Sequence, residues 1–156
     1  MPLSSSAIHR LHHQHEIMNE WAKNYTEEHL KTRVNPEKWS AFENMVHLAA
    51  YQPTFIQRMG SILNQEYPVF GPYKAENDPL FHAYLGRTPA ELISDVGEKR
   101  LDMIRLLGAA SDQQLTYWGE HAKYGKMSVP DWTEFFLLHE AHHLFTGFLL
   151  IRQVGK

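Results

Sequence analysis

Helix starts punctuate this chain, and nothing in it reads as a strand. Thr88-Pro89-Ala90-Glu91 combines a capping box with proline in the first turn, and Ser128-Val129-Pro130-Asp131 opens a further helix. Asn35-Pro36 offers an N-cap followed by proline at the first helical position, and Ser4 to Ser6 offer N-caps ahead of another helix. Behind each start, apolar residues return at helical spacing. The first stripe takes in Ile8, Leu11, Ile17 or Met18, Trp21, Tyr25 and Leu30, ending near Lys31. The second holds Trp39, Phe42, Val46, Ala49, Pro53, Ile56 and Leu63, with a kink expected near Ala49 to Pro53 because proline lacks a backbone donor. The third holds Leu92, Val96, the stem of Arg100, Met103 and Leu107, and the last runs from Trp132 to about Gln153. Residues 65–87 read as an irregular connection with one helical turn around Leu80 to Tyr84. A second capping box, Ser111 to Gln114, opens a short helix ending near Trp118, and a loop from His121 to Lys126 follows. The pattern predicts an all-α fold: a four-helix bundle with one long crossover connection and a short extra helix, forming one domain over residues 1–156.

Composition narrows what such a bundle can do. A chain of 156 residues with 43% apolar and 21% charged residues can bury an ordinary globular core. Cysteine is absent, which excludes disulfides, thiolate metal ligands and cysteine nucleophiles. A formal charge of -3 without a basic stripe argues against nucleic acid as a partner. No apolar run reaches membrane-spanning length and the first residues lack a signal-peptide core, so no membrane partner and a cytoplasmic location are expected. The residue out of proportion is histidine, present eleven times.

His139, His142 and His143 stand inside the most apolar segment, Phe135 to Leu150. Imidazole is costly to bury unless both ring nitrogens find partners. His139 and His143 are four apart, which sets them about 5–6 Å apart at Cβ on one helix face. That face is the stripe of Trp132, Phe136, Thr146 or Gly147, and Leu150, so the pair points into the core. A metal ion would supply the missing partner. The same residues spell H-E-x-x-H, in which zinc proteases use the glutamate as general base. Thirteen residues follow His143 and none is His, Asp or Glu, so any third ligand has to come from upstream. His47 is the candidate, flanked one turn either side by Glu43 and Tyr51 in a polar ridge beside the second stripe. Such a ridge is either a solvated edge or one wall of a buried polar pocket. His9 and His13, with His12 and His15, read as a solvated face near the terminus.

At Lys38 to Gln52 and at Gly125 to Leu144 the sequence resembles the DinB-like (YfiT-type) superfamily of metal-binding four-helix bundles. The first segment, "KWSAFENMVHLAAYQ", is similar to that family's second-helix W-S…H-L segment, and the second is similar to its last-helix H-x-x-x-H segment with the doubled histidine. Leu85 to Leu92 and His121 to Lys126 extend the likeness over most of residues 36–152. The resemblance implies His47, His139 and His143 as metal ligands, with His142 a neighbour that does not ligate. Many relatives have Gln three residues after the last ligand, where this chain has Thr146, so contacts on the substrate side differ.

Three imidazoles leave coordination positions open, the condition for catalytic metal. Neutral nitrogen ligands suit zinc, nickel, iron, cobalt or copper(II). The resemblance implies a divalent transition metal, zinc or nickel first, then iron, cobalt or manganese. It also implies a metal-dependent enzyme of thiol-transferase or hydrolase type, acting on a small-molecule substrate that includes a low-molecular-weight thiol among the candidates. Glu43 is the expected catalytic or supporting carboxylate, with Glu140 behind it. The alternative is a non-enzymatic metal-binding stress or partner-binding bundle. The last helix is apolar almost all round, and its face around Leu137, Leu144, Phe148 and Ile151 needs a cover. Tyr67, Val69, Phe70 and Tyr73 of the long connection could fold over it, or a second copy of the chain could, and a homodimer is the expectation.

Overall fold

The two longest helices, α4 (Ala41–Leu63) and α7 (Val129–Ile151), lie against each other and bring the candidate ligands face to face. The computed structural model describes residues 2–156. Ahead of α4 come α1 (Ser5–His13), α2 (Ile17–Asn24) and α3 (Glu27–Lys31); between α4 and α7 come β1 (Val69–Phe70), α5 (Pro79–Tyr84), α6 (Pro89–Gly108), β2 (Trp118–His121) and β3 (Gly125–Ser128). α6 packs on α4, and the N-terminal segment closes the bundle against α6 and α7. The result is a four-helix bundle whose core includes Phe42, Met45, Phe55, Met59, Met103, Trp132 and Phe136, each 2% exposed or less. Among the described residues, no helix is long and apolar enough to cross a membrane.

Capping chemistry set most of the boundaries. Thr88 and Ser128 cap α6 and α7 through capping boxes with Glu91 and Asp131, at the starts expected from the sequence. The second helix begins later than Asn35-Pro36. A third capping box, Ser40 with Glu43, starts α4 at Ala41, while Asn35 holds a tight turn by accepting the Glu37 N–H at 2.9 Å. α4 then runs through Pro53 as one helix.

The expected single first helix is broken twice. A 3-10 turn at Gln14–Glu16 separates α1 from α2, and Thr26 caps a new helix, α3. The first break is tertiary in origin: the Gln14 side chain donates to the Leu137 carbonyl of α7 at 2.9 Å. Further along, the Trp21 ring lies so close to α7 that a Cβ on Gly147 would stand 2.8 Å from it, so that position requires glycine. These contacts explain the cover on α7. Leu137, Leu144 and Ile151 are buried by the chain's own N-terminal segment, and the long connection is not needed there.

The second correction is a sheet where a loop was expected. β2 and β3 pair antiparallel from Trp118↔Ser128 to His121↔Gly125, and β1 adds in parallel with Phe70 opposite His121. Gly125, at φ 79°, supplies the left-handed residue that lets the hairpin close. His121 fastens the same turn, its Nδ1 accepting the backbone N–H groups of Lys123 at 3.0 Å and Tyr124 at 3.3 Å. The sheet is anchored where Trp132 Nε1 donates to the Gly119 carbonyl at 3.2 Å, and it carries the connection to the mouth of the site.

Candidate metal centre

His47 from α4 and His139 and His143 from α7 meet inside the bundle, with one ring nitrogen of each within 4.8 Å of the others. The Nε2 atoms of His47 and His139 are 3.0 Å apart. Nitrogens sharing a tetrahedral ion at bonds of 2.0–2.1 Å would stand about 3.3 Å apart, so ring shifts of roughly an ångström would suffice to share one.

One imidazole is oriented by a chain of hydrogen bonds. The Asn44 side-chain amide donates to the Ser40 carbonyl at 2.8 Å, which turns its oxygen toward α7. That Oδ1 lies 2.8 Å from His143 Nδ1; because an amide oxygen only accepts, Nδ1 carries the proton and Nε2 is left as a lone pair. Asn44 was not singled out from the sequence. The available signal was a short polar amide inside the apolar part of a helix, three residues before His47, where such a side chain is unfavourable without a partner.

The other two rings fit the same reading. Nδ1 of His47 and Nδ1 of His139 are buried without a hydrogen-bond partner. In a simple imidazole pair one Nε2 would donate to the other at 3.0 Å; around a shared cation both Nε2 atoms are lone pairs and each Nδ1 carries the proton. A cation would engage all three Nε2 lone pairs together, and the donor set is one that divalent transition metals accept.

Burial holds the rings neutral. His47 is held down to about 3 by burial and then by His139. His139 is held to about 4 by burial and then by His142, and His143 to about 2 by burial and then by His47, His139 and His142. His15, beside Arg100, is held to about 4 by burial and by that guanidinium. All four are below the ordinary 6.5, so between pH 6.5 and those values the unfolded chain binds protons that the folded chain refuses. Stability of the metal-free protein is therefore expected to be flat above pH 7 and to fall steadily from pH 6.5 toward 4, read as melting temperature against pH. An unchanged melting temperature across that window would show that the rings are not held neutral.

Aromatic rings enclose the cluster. Trp39 lies 5.3 Å from His47 between ring centroids, Tyr73 lies 5.5 Å from it, and Tyr51 stacks nearly parallel to it. His139 lines a cavity of about 240 Å³ shared with Tyr51, Arg58, Tyr73 and His121. Any open coordination position facing that cavity is accessible to a small molecule.

The two carboxylates considered from the sequence lie elsewhere in the network. Glu43 caps α4, its Oε2 accepting the Ser40 N–H and the Arg33 Nε–H at 2.8 Å each while Oε1 accepts from Arg33 Nη2. Arg33 and the Ser40 bonds outweigh burial and hold the Glu43 carboxyl below its usual range. Glu140 is 2% exposed and pairs with the equally buried Arg100 of α6. His142 is exposed, and His9, His12 and His13 stay together on the surface of α1.

Comparisons with known proteins follow the same lines. No curated protein matches the sequence at a significant level. Among solved structures, the chain is similar to YfiT from Bacillus subtilis, described as a probable metal-dependent hydrolase with an unusual four-helix bundle topology. The TM-score is 0.78 at 19% identity, over 96% of this chain and 86% of that one, a likeness of fold. The family model of the DinB superfamily matches residues 10–146, which include most of the bundle and all three histidines, and the chain belongs to that superfamily.

Proposed function

We propose that the protein is a metal-dependent enzyme in which His47, His139 and His143 hold a divalent transition metal beside a small-molecule cavity. The observation that carries this reading is the convergence of three neutral imidazoles, His143 oriented through Asn44 and His139 at the wall of that cavity. A cation bound there supplies Lewis acidity and lowers the pKa of a bound water or thiol. The chain's own contribution is orientation and exclusion of water. Asn44 fixes the His143 tautomer, Trp39, Tyr51 and Tyr73 shield the rings, and the cavity positions a substrate against His139. The solved relative's description as a probable metal-dependent hydrolase supports the same class of chemistry.

Hydrolysis by activated water and transfer of a low-molecular-weight thiol are both open to such a site. One observation favours the thiol: among the described residues no carboxylate lines the cavity, and a thiol, more acidic than water, needs no such base. Protein loaded with zinc or nickel is expected to couple a small thiol to an electrophile such as monochlorobimane. Ester hydrolysis without thiol transfer would assign it to the hydrolases, and neither activity would leave a metal-binding protein without catalysis.

In this reading Glu43 acts through position. Its capping box and its grip on Arg33 fix the first turn of α4, which carries Asn44 and leads into the turn that carries His47. Asn44→Ala is expected to weaken metal affinity by about 10–100-fold, the usual effect of losing a group that orients a ligand. Glu43→Gln is expected to lower affinity or turnover less while keeping the fold. Competition against a chromogenic chelator measures both, and an unchanged affinity for Asn44→Ala would remove the residue from the site.

A homodimer belongs to the same proposal, on a face that keeps Phe148 of the one expected but not the buried Leu137, Leu144 and Ile151. Leu138 at 58%, Phe145 at 62%, Phe148 at 40% and Leu149 at 39% exposure form an uncovered apolar stripe on α7. Two copies would bury it by meeting across a two-fold axis, the commonest symmetry of such assemblies. Light scattering at micromolar concentration is expected to give the mass of two chains, and Phe145→Glu the mass of one. A one-chain mass for the unaltered protein would refute the dimer.

A further inference from the structure

The cavity beside His139 carries polar groups that the three histidines do not use. Arg58 projects from α4 and is held in place: its Nη2 donates to the Gly71 carbonyl at 3.0 Å and its plane lies 5.0 Å from the Phe70 ring centre. That bond takes one of five N–H donors, and among the described residues no carboxylate pairs with the charge. His121 faces the same space from β2. Its Nδ1 accepts two backbone N–H groups, so the proton sits on Nε2, which finds no partner among the described residues. Burial, with Arg58 and Lys123 nearby, keeps that ring neutral. The remaining wall is aromatic, with Tyr51, Tyr73, Tyr124 and Phe135, and Lys123 stands at the mouth.

We propose that this cavity takes a small carboxylic acid with an apolar body, its carboxylate held by Arg58 and the His121 Nε2–H and its other end toward His139. One fixed guanidinium and one neutral donor match a single negative charge, and the absence of a lining carboxylate leaves that charge unopposed. The aromatic wall takes the apolar body, and the cavity's volume of about 240 Å³ limits its size. The exposed Lys123 adds attraction during approach. This inference rests on the metal-enzyme reading only for which end of the substrate reacts.

The test is calorimetric titration of 3-phenylpropionate and its uncharged counterpart 3-phenylpropanamide into the full chain, both zinc-loaded and zinc-stripped. The acid is expected to bind both forms, and the amide at least tenfold more weakly. Arg58→Gln is expected to lose at least tenfold in affinity for the acid with no effect on the amide. Arg58→Lys, which keeps the charge but not the planar fork, is expected to fall between. Should Arg58→Gln fail to fold, the acid and amide comparison in the unaltered chain decides. Equal affinity for acid and amide, or undiminished binding by Arg58→Gln, would overturn the proposal. Acid binding confined to the zinc-loaded form would also overturn it, as direct ligation of the metal. A chain that binds the acid but no zinc would fail the metal reading and keep this one.

Discussion

Glu140→Ala is expected to destabilise the protein by about 3–5 kcal/mol, a large part of the stability of a domain this size. The reason is what the carboxylate leaves behind. Arg100 and Glu140 are each 2% exposed, and the guanidinium is committed on every side. Its Nε donates to Gln52 Oε1 at 3.1 Å, its Nη1 to the Leu11 carbonyl at 3.0 Å, and its Nη2 to Glu140. His15 Nδ1 lies 3.3 Å from Nη1 and stays neutral there. One side chain thus ties the N-terminal segment, α4, α6 and α7 together, and removing its counter-ion strands a charge in the core. Burial pushes the Glu140 carboxyl up while Arg100 opposes it, so the pair acts as one unit. The double replacement Arg100→Met with Glu140→Leu removes both charges and is expected to be far milder than the single change. Urea denaturation followed by circular dichroism separates the two, and a loss below about 1 kcal/mol for Glu140→Ala would show that the pair is not a keystone.

Metal removal is expected to have the other large effect. A ligand that binds the folded chain alone stabilises it by about 4 kcal/mol at a thousand times its dissociation constant, and chelation reverses this. The melting temperature of the zinc-loaded protein is therefore expected to drop by several degrees on adding chelator, about 10 °C or more if binding is tight. The drop should vanish in His47→Ala, His139→Ala and His143→Ala. In the metal-free state the comparison inverts: replacing His47 and His139 together by Leu removes their Nε2 contact along with two buried nitrogens that have no partner, and is expected to cost little or to stabilise. Such a reversal marks residues kept for binding and not for packing. Equal chelator sensitivity in all four proteins would place the ion elsewhere, and the surface histidines of α1 would be the next place to look.

Much of the scaffold was legible because it is written in local chemistry. The capping boxes at Thr88 and Ser128 gave the starts of α6 and α7, and the spacing of His139 and His143 gave their shared face. What escaped was set by distant contacts. The first helix breaks where Gln14 reaches across to Leu137, which no periodicity reveals. The hairpin escaped for a different reason. Its buried positions on β2 are Gly119 and His121, not apolar residues, so the alternation that marks a strand is absent from the sequence. His121 consequently looked like part of a loop, although it lines the cavity. Arg100 was read as a stem on an apolar stripe, and its guanidinium proved to be the most connected polar group in the core. Both carboxylates weighed for chemistry turned out to hold helices in place, Glu43 at the start of α4 and Glu140 between α6 and α7.

The most direct measurement is metal content by elemental mass spectrometry on protein purified without a histidine tag, beside His47→Ala prepared the same way. His47 is the informative position because it comes from α4, while the other two histidines share α7 and could bind an ion weakly as a pair. The expected result is one divalent transition metal per chain in the unaltered protein and a small fraction of that in His47→Ala, with both proteins folded. Equal metal in the two, or none in either after incubation with excess zinc and nickel, would contradict a three-histidine metal site.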